Sequence, residues 1–284
     1  MEDTSELNNS FPQNTNFTTS PETLNQLKKV VNTSDKLEIT ILESQYFDKN
    51  YKIKLNSLGM VSGSLRNNLD GYTFFGIYSK NANKNQSVDF SIIPVDENNP
   101  PLDYGRQFLI TFDIYDLCYI IKDLSAGVGV GTFWKLETEG EKIKDNFLIN
   151  IGNNFLVFTL GIDETEGGEN NTTTESDMVL GIKVFGGEQK KDTIYFNPSQ
   201  KEKIQIGKGS ECDVVLNDEN LFDVHCVIEY CGKDGWVING ENMDDNDYSI
   251  NKNIWISLTE NKQIFNGMII RTRNMVFKCN LVDK

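Results

Sequence analysis

The sequence predicts an all-β protein: two β-sandwich domains in tandem behind a mostly disordered amino-terminal tail. Three observations lead there. Short runs rich in Val, Ile, Phe and Tyr recur at regular spacing between Lys36 and Gly161, bounded by Gly, Asn, Asp and Ser. A second series of such runs fills Met178 to Lys284. Between them lies IDETEGGENNTTTESD, residues 162–177, acidic, rich in Gly and Asn and without apolar periodicity, which reads as a linker. Many short strands at even spacing favour a sandwich over a parallel sheet.

Size and charge narrow the function classes. With 284 residues there is room for two domains of roughly 100 to 150 residues each. The 38% hydrophobic and 24% charged composition is that of a globular chain. No apolar run approaches the roughly 18 residues that span a bilayer, so no membrane insertion is expected. Lys and Arg number 27 against 42 Asp and Glu, and the net charge of −15 repels the DNA backbone and anionic lipid. Nucleic acid is therefore excluded as a partner, and other proteins are expected instead. No secretory leader is read at the amino terminus, so the expected location is the cytoplasm, cytoskeletal or ciliary structures included, with the nucleus left open. The five cysteines are odd in number and sit mostly in strand-like runs, as reduced thiols do. His225, Cys226 and Cys231 do not suggest a metal site. Strand neighbours point to opposite faces and no Cys-x-x-Cys occurs. No cofactor is expected.

Taken in order, residues 1–35 have little to bury and read as a tail. Within it Ser20-Pro21-Glu22 is a helix start, an N-cap followed by Pro, with Leu24, Leu27, Val30 and Val31 on one face. Such a short amphipathic helix suits either the chain's own first domain or a partner. The first domain, 36–161, offers strands at Leu37–Leu42, Tyr51–Leu55, Gly71–Tyr78, Val88–Ile93, Gln107–Ile114, Leu117–Asp123, Gly131–Leu136, Phe147–Ile151 and Asn154–Leu160. The loop Gly127-Val128-Gly129-Val130-Gly131-Thr132 is read as a turn, since its spacing is neither GxxxxGK[ST] nor GxGxxG. In the linker, Thr172 and Thr174 each have an acidic residue three places on, which suits an acidophilic kinase. The second domain, 178–284, opens with Met178–Phe185, turns at Gly186-Gly187 and continues through Thr193–Phe196 to the end.

The densest pattern lies in IQIGKGSECDVVLNDENLFDVHCVIEY, where Gly207-Lys208 is followed by Asp213-Val214-Val215-Leu216 and then by Phe222-x-x-His225 ahead of an alternating strand. Downstream stand Gly235-Trp236-Val237-Ile238, Ser249-Ile250-Asn251-Lys252-Asn253 and Phe265-Asn266-Gly267-Met268-Ile269. The order and spacing resemble the forkhead-associated (FHA) domain, with its Gly-Arg, Asp-Ile-x-Leu, Ser-x-x-His and Ser-x-Asn-Gly-Thr motifs. The resemblance covers the last 95 or so residues. It implies a β-sandwich that grips phosphothreonine on loops, with Lys208, Ser210, Asn251 and Lys252 lining the pocket, Lys208 on the phosphate and Asn251 on the peptide backbone. The chain departs from the pattern at two places that matter. Lys208 keeps a cation but lacks the two-pronged guanidinium, and Phe222 replaces the Ser whose hydroxyl would reach phosphate.

The first domain resembles the same family more loosely. Tyr119 to Ser125, Gly131 to Leu136, Phe147 to Gly152 and Phe155 to Phe158 look like the second half of the fold, which suggests an internal repeat. Asp89-Phe90-Ser91-Ile92 would be the Asp-Ile-x-Leu strand, and Tyr104 and Gln107 would replace the Ser and His. Gly63-Ser64, with Arg66 nearby, is the best match to Gly-Arg, and the Asn position falls at Val128 or Val130.

Catalysis is not expected. His225 is the only histidine, no GxSxG nucleophile motif accompanies it, and the kinase motifs His-Arg-Asp and Asp-Phe-Gly are absent. The resemblance leaves two expectations. One is a structural or adaptor subunit within a larger assembly, cytoskeletal or axonemal, which the Asn-rich composition hints is protist. The other is a phosphothreonine-peptide reader in signalling.

Overall fold

The computed structural model describes residues 17–95, 101, 103–124, 131–137, 139–162, 178–186, 192–240, 247, 249 and 252–283. Among them the fold is all-β, with one α-helix, Pro21–Val30. None of the described helices is long and apolar enough to cross a membrane. Residues 163–177 of the expected linker, with Thr172 and Thr174, and residues 125–130 of the glycine-containing run lie outside the described residues.

The helix forms where the capping signals stand. Ser20 accepts the Thr23 amide at 3.1 Å, Pro21 opens the first turn, and Lys28 and Lys29 sit at the carboxyl end, where the helix dipole favours cations. Leu27 is buried, and its carbonyl accepts the Ser57 hydroxyl at 2.9 Å. The stretch from Phe17 onward thus packs on the chain's own sandwich and is not a loose tail. The mean composition of residues 1–35 hides two anchors: Leu27, and Phe17, whose ring lies edge-on to Tyr72 and Phe74.

Backbone contacts divide the chain into two compact units, Met1–Thr132 with Leu258–Lys284, and Phe133–Ser257. In the first, one antiparallel sheet runs Ile269–Thr272, Met275–Val282, Lys36–Glu43, Lys52–Asn56, Gly59–Met60. The Lys52–Asn56 strand shows the period of two: Ile53 and Leu55 are buried, while Lys52 reaches outward to Glu38 at 2.7 Å. A second sheet runs Lys262–Gln263, Cys118–Asp123, Gly105–Asp113, Tyr72–Ile77, with Phe90–Ser91 added in parallel. Phe75 and Phe108 stack at 4.6 Å on this sheet and both meet Phe277 of the other edge-on at 6.1 Å, which makes the core of a sandwich.

The second unit repeats the plan. One sheet runs Ile194–Phe196, Met178–Phe185, Asn154–Ile162, Phe147–Ile151, Ile254–Ser257, Thr132–Lys135. The other runs Val214–Val215, Lys203–Gly207, Cys226–Tyr230, Trp236–Gly240, Glu141–Lys142, its first pair parallel. Matching bonds recur between the units. Ile143 donates to the Trp236 carbonyl at 2.8 Å as Ile264 does to that of Tyr119 at 2.8 Å, and Leu160 donates to Asp145 as Leu281 does to Asn266, both at 2.9 Å.

The units are not the contiguous 36–161 and 178–284 expected from the sequence. Residues 36–132 are completed by 258–282, and residues 178–257 by 141–162. Each amino-terminal half takes the carboxyl-terminal half of the other repeat. Strand patterning dictates that a strand pairs, not which of two equivalent edges it joins, so the exchange was invisible in the pattern.

Candidate functional site

In the second unit the loops at one end of the sandwich are set by Gly207, where the Lys203–Gly207 strand ends. A Cβ there would lie 2.2 Å from the Asp223 carbonyl. This close approach lets His225 donate its amide to Ile206 at 2.8 Å, Lys208 to Phe222 at 3.1 Å and Gly209 to Asp223 at 2.9 Å. Asp213 fixes the other side of the loop. Its amide bonds the Gln205 carbonyl at 3.0 Å, its Oδ2 accepts the Gln205 amide at 2.9 Å, and Oδ1 meets the Lys201 ammonium.

His225 lies fully buried under this end. Its Nδ1 accepts the Phe222 amide at 3.5 Å, so Nε2 carries the proton and turns toward the Asn253 backbone without reaching hydrogen-bond geometry. Burial pushes its pKa down to about 4, against the smaller pull of Asn253 and Asp218. The Phe222 ring stacks on the imidazole at 5.6 Å and remains half-buried.

The expected pocket lysines have local partners of their own. Lys208 is exposed and donates Nζ to the Glu219 carbonyl at 3.0 Å, and Ser210 is exposed on a turn. Lys252 is exposed and pairs with Asp247 at 3.1 Å. The Asp247 carboxyl is held below the usual range by the Ser249 N–H, which it accepts at 2.9 Å, and by that ammonium. Asn251 lies outside the described residues. Lys208 is therefore anchored to the 219–223 loop and Lys252 to Asp247. Two residues outside the expected pocket set, Asn253 of the Ser-x-Asn-Gly-Thr match and Lys135, hold the backbone at Asp247 and Ser249. Buried Asn253 donates Nδ2 to the carbonyls of Asp247 at 2.9 Å and Ser249 at 2.8 Å, and buried Lys135 donates to the Asp247 carbonyl at 3.1 Å. A lysine inside the Thr132–Lys135 strand was the signal available, since a charge is rarely buried without a partner.

The equivalent end of the first unit follows from the same backbone bonds. Gly76 approaches Gly105 so closely that a Cβ would stand 2.1 Å from its carbonyl. Asp89 exchanges both bonds with Phe74, at 2.8 and 2.9 Å, and Ile92 donates to Gly76 at 2.7 Å as Leu216 does to Gly207 at 2.7 Å. Gly76 therefore corresponds to Gly207, Asp89 to Asp213 and Gln107 to His225, while Ile77 stands where Lys208 does and Tyr104 where Phe222 does. The Gly63-Ser64 match to Gly-Arg is overturned. Ser64 and Arg66 instead hold Asp89, at 2.6 and 3.1 Å, the role of Lys201 in the other unit. They occur well before the strand, which is why motif spacing misplaced them.

Arg66 and Arg106 both have their guanidinium groups engaged. Arg66 binds Asp70 through both Nη atoms at 2.9 and 2.8 Å and donates to the Tyr72 carbonyl at 3.0 Å. Burial alone would lower its pKa, but the hydrogen bonds and charges of Asp70 and Asp89 outweigh it and raise it. Arg106 lies 3.5 Å over the Phe74 ring and donates to the carbonyls of Ser87 and Lys84, each at 3.0 Å. Burial, with the nearby Arg66 charge, lowers its pKa to about 10. Among the described residues no three His, Cys, Asp or Glu side chains stand together as metal ligands would.

Set against known proteins, the chain matches no family model and no curated sequence.

Proposed function

We propose that this protein is a non-enzymatic adaptor or structural subunit. In this reading its two units are FHA-like sandwiches that hold other proteins within a larger assembly of the cytoskeletal or axonemal kind. One observation carries the reading. The loop ends keep the residues that shape the backbone, Gly76 and Gly207, Asp89 and Asp213, yet have a buried Ile77 and a half-buried Tyr104 in one unit and an engaged Lys208 with Phe222 in the other. A scaffold is maintained and the anion-gripping groups are not.

The test uses the full chain. Partners captured with it should remain bound after phosphatase treatment, and a phosphothreonine peptide library should yield no ligand whose binding Lys208→Ala abolishes. A peptide that binds the full chain and is lost in Lys208→Ala would overturn the proposal in favour of phosphopeptide recognition by the second unit.

A further inference from the structure

The exchange of halves raises the question of what assigns them, since both carboxyl-terminal halves have the same strand plan. The two hairpin turns differ at one position. In 141–162 the turn from Ile151 to Asn154 has Gly152 at φ 55°, and in 258–282 the turn from Thr272 to Met275 has Arg273 at φ 48°. The backbone shape is shared and the Cβ is not.

In the second unit the Gly152 turn seats on residues from the 178–257 half. Asp218 Oδ2 accepts the Asn153 amide at 3.0 Å while Oδ1 accepts the Asn220 amide at 3.1 Å. Burial would raise the Asp218 pKa, but these bonds hold it below the usual carboxylate range. The carboxylate is therefore charged and fixed. A Cβ on Gly152 would lie 2.5 Å from Asp218 Oδ2 and 3.0 Å from Leu221 Cδ2. In a contiguous arrangement the repeat's own carboxyl-terminal half would bring Arg273 to that spot, and its Cβ would meet the two atoms that Gly152 avoids. In the first unit the residue two places after Ile92, as Asp218 is two after Leu216, is Pro94, which has no carboxylate to crowd Arg273.

We propose that Gly152, read by Asp218 and Leu221, is the selector that assigns 141–162 to the 178–257 half and leaves 258–282 to complete the first unit. The two repeats are thereby interlocked, and a cut in 163–177 releases neither unit.

Cross-linking in the full chain tests this. Ile39 lies opposite Cys279, and directly opposed residues of antiparallel strands are about 4.5–5.5 Å apart at Cα, within disulfide reach. In a contiguous arrangement Cys279 would lie opposite Ile182, which in the exchanged one faces Phe158. With a protease site placed in 163–177, oxidised Ile39→Cys should keep both fragments covalently joined on a denaturing gel, the link mapping to Cys279. Ile182→Cys should give no link to Cys279. A missing Ile39→Cys link, or an Ile182→Cys link, would overturn the exchange. Exchanging the turn residues, Gly152→Arg with Arg273→Gly, should shift linkage from Ile39→Cys toward Ile182→Cys by at least about tenfold, the effect of ~1.4 kcal/mol. Should that variant fail to fold, Arg273→Gly alone should let the Ile182→Cys link appear. If no link appears, Gly152 is not the selector.

Discussion

His225 gives the sharpest prediction, because it is the only histidine in the chain and is fully buried. Burial lowers its pKa from 6.5 to about 4 in the folded state. The unfolded chain takes up a proton below 6.5 that the folded chain refuses until about 4. Stability from this group is thus complete above 6.5 and is lost as pH falls through the interval. A gap of that size is worth ~3 kcal/mol. The variant of choice is His225→Gln, because Gln107 fills the corresponding buried place in the first unit and does not titrate. Denaturant titrations at pH 7 and at about pH 4 should show the wild type losing ~3 kcal/mol more than the variant across that interval. A direct reading comes from NMR, where one imidazole signal should stay unshifted down to about pH 5. An imidazole midpoint near 6.5 in the folded protein, or equal losses for both chains, would refute the reasoning.

Other positions test the backbone argument. Gly76→Ala and Gly207→Ala each force a Cβ to within 2.1 or 2.2 Å of a carbonyl. Each should cost about 1–3 kcal/mol or more in chemical denaturation. Asp89→Asn should cost more than Asp213→Asn, about 3–5 kcal/mol, because it leaves Arg66 short of a buried partner. Lys201 at Asp213 is half exposed and is compensated by water, so that pair contributes little. Gly71→Ala combines a left-handed φ of 86° with a Cβ 2.7 Å from Leu27, and should loosen the Pro21–Val30 helix, read as faster amide exchange there.

Much of the fold could be read from local chemistry. The period of two at Lys52–Asn56, the Ser20-Pro21 cap and the Asp213-to-Leu216 run all carry their structure in adjacent residues. What could not be read depends on distance along the chain. Phe17 finds its partners at Tyr72 and Phe74, Ser64 and Arg66 find Asp89, and 141–162 finds a half that begins after the linker. The site suffered in the same way. Motif spacing located Lys208 and Lys252, but nothing in it told that Glu219 and Asp247 would occupy their ammonium groups.

Comparing the two units within one chain separates what the fold demands from what a ligand would demand. Glycine at 76 and 207 and aspartate at 89 and 213 recur because a carbonyl 2.1 or 2.2 Å from a would-be Cβ and a paired backbone admit little else. Gln107 and His225 differ in chemistry but share complete burial, so each is a core filler for its own loop end. The neighbouring positions differ between the ends: buried Ile77 stands against exposed Lys208, and half-buried Tyr104 against half-buried Phe222. Two ends so unlike cannot grip one anionic group in the same manner. If both units hold a common partner, sheet faces or edges can supply the shared contact, as with exposed Tyr195 on the Ile194–Phe196 edge strand.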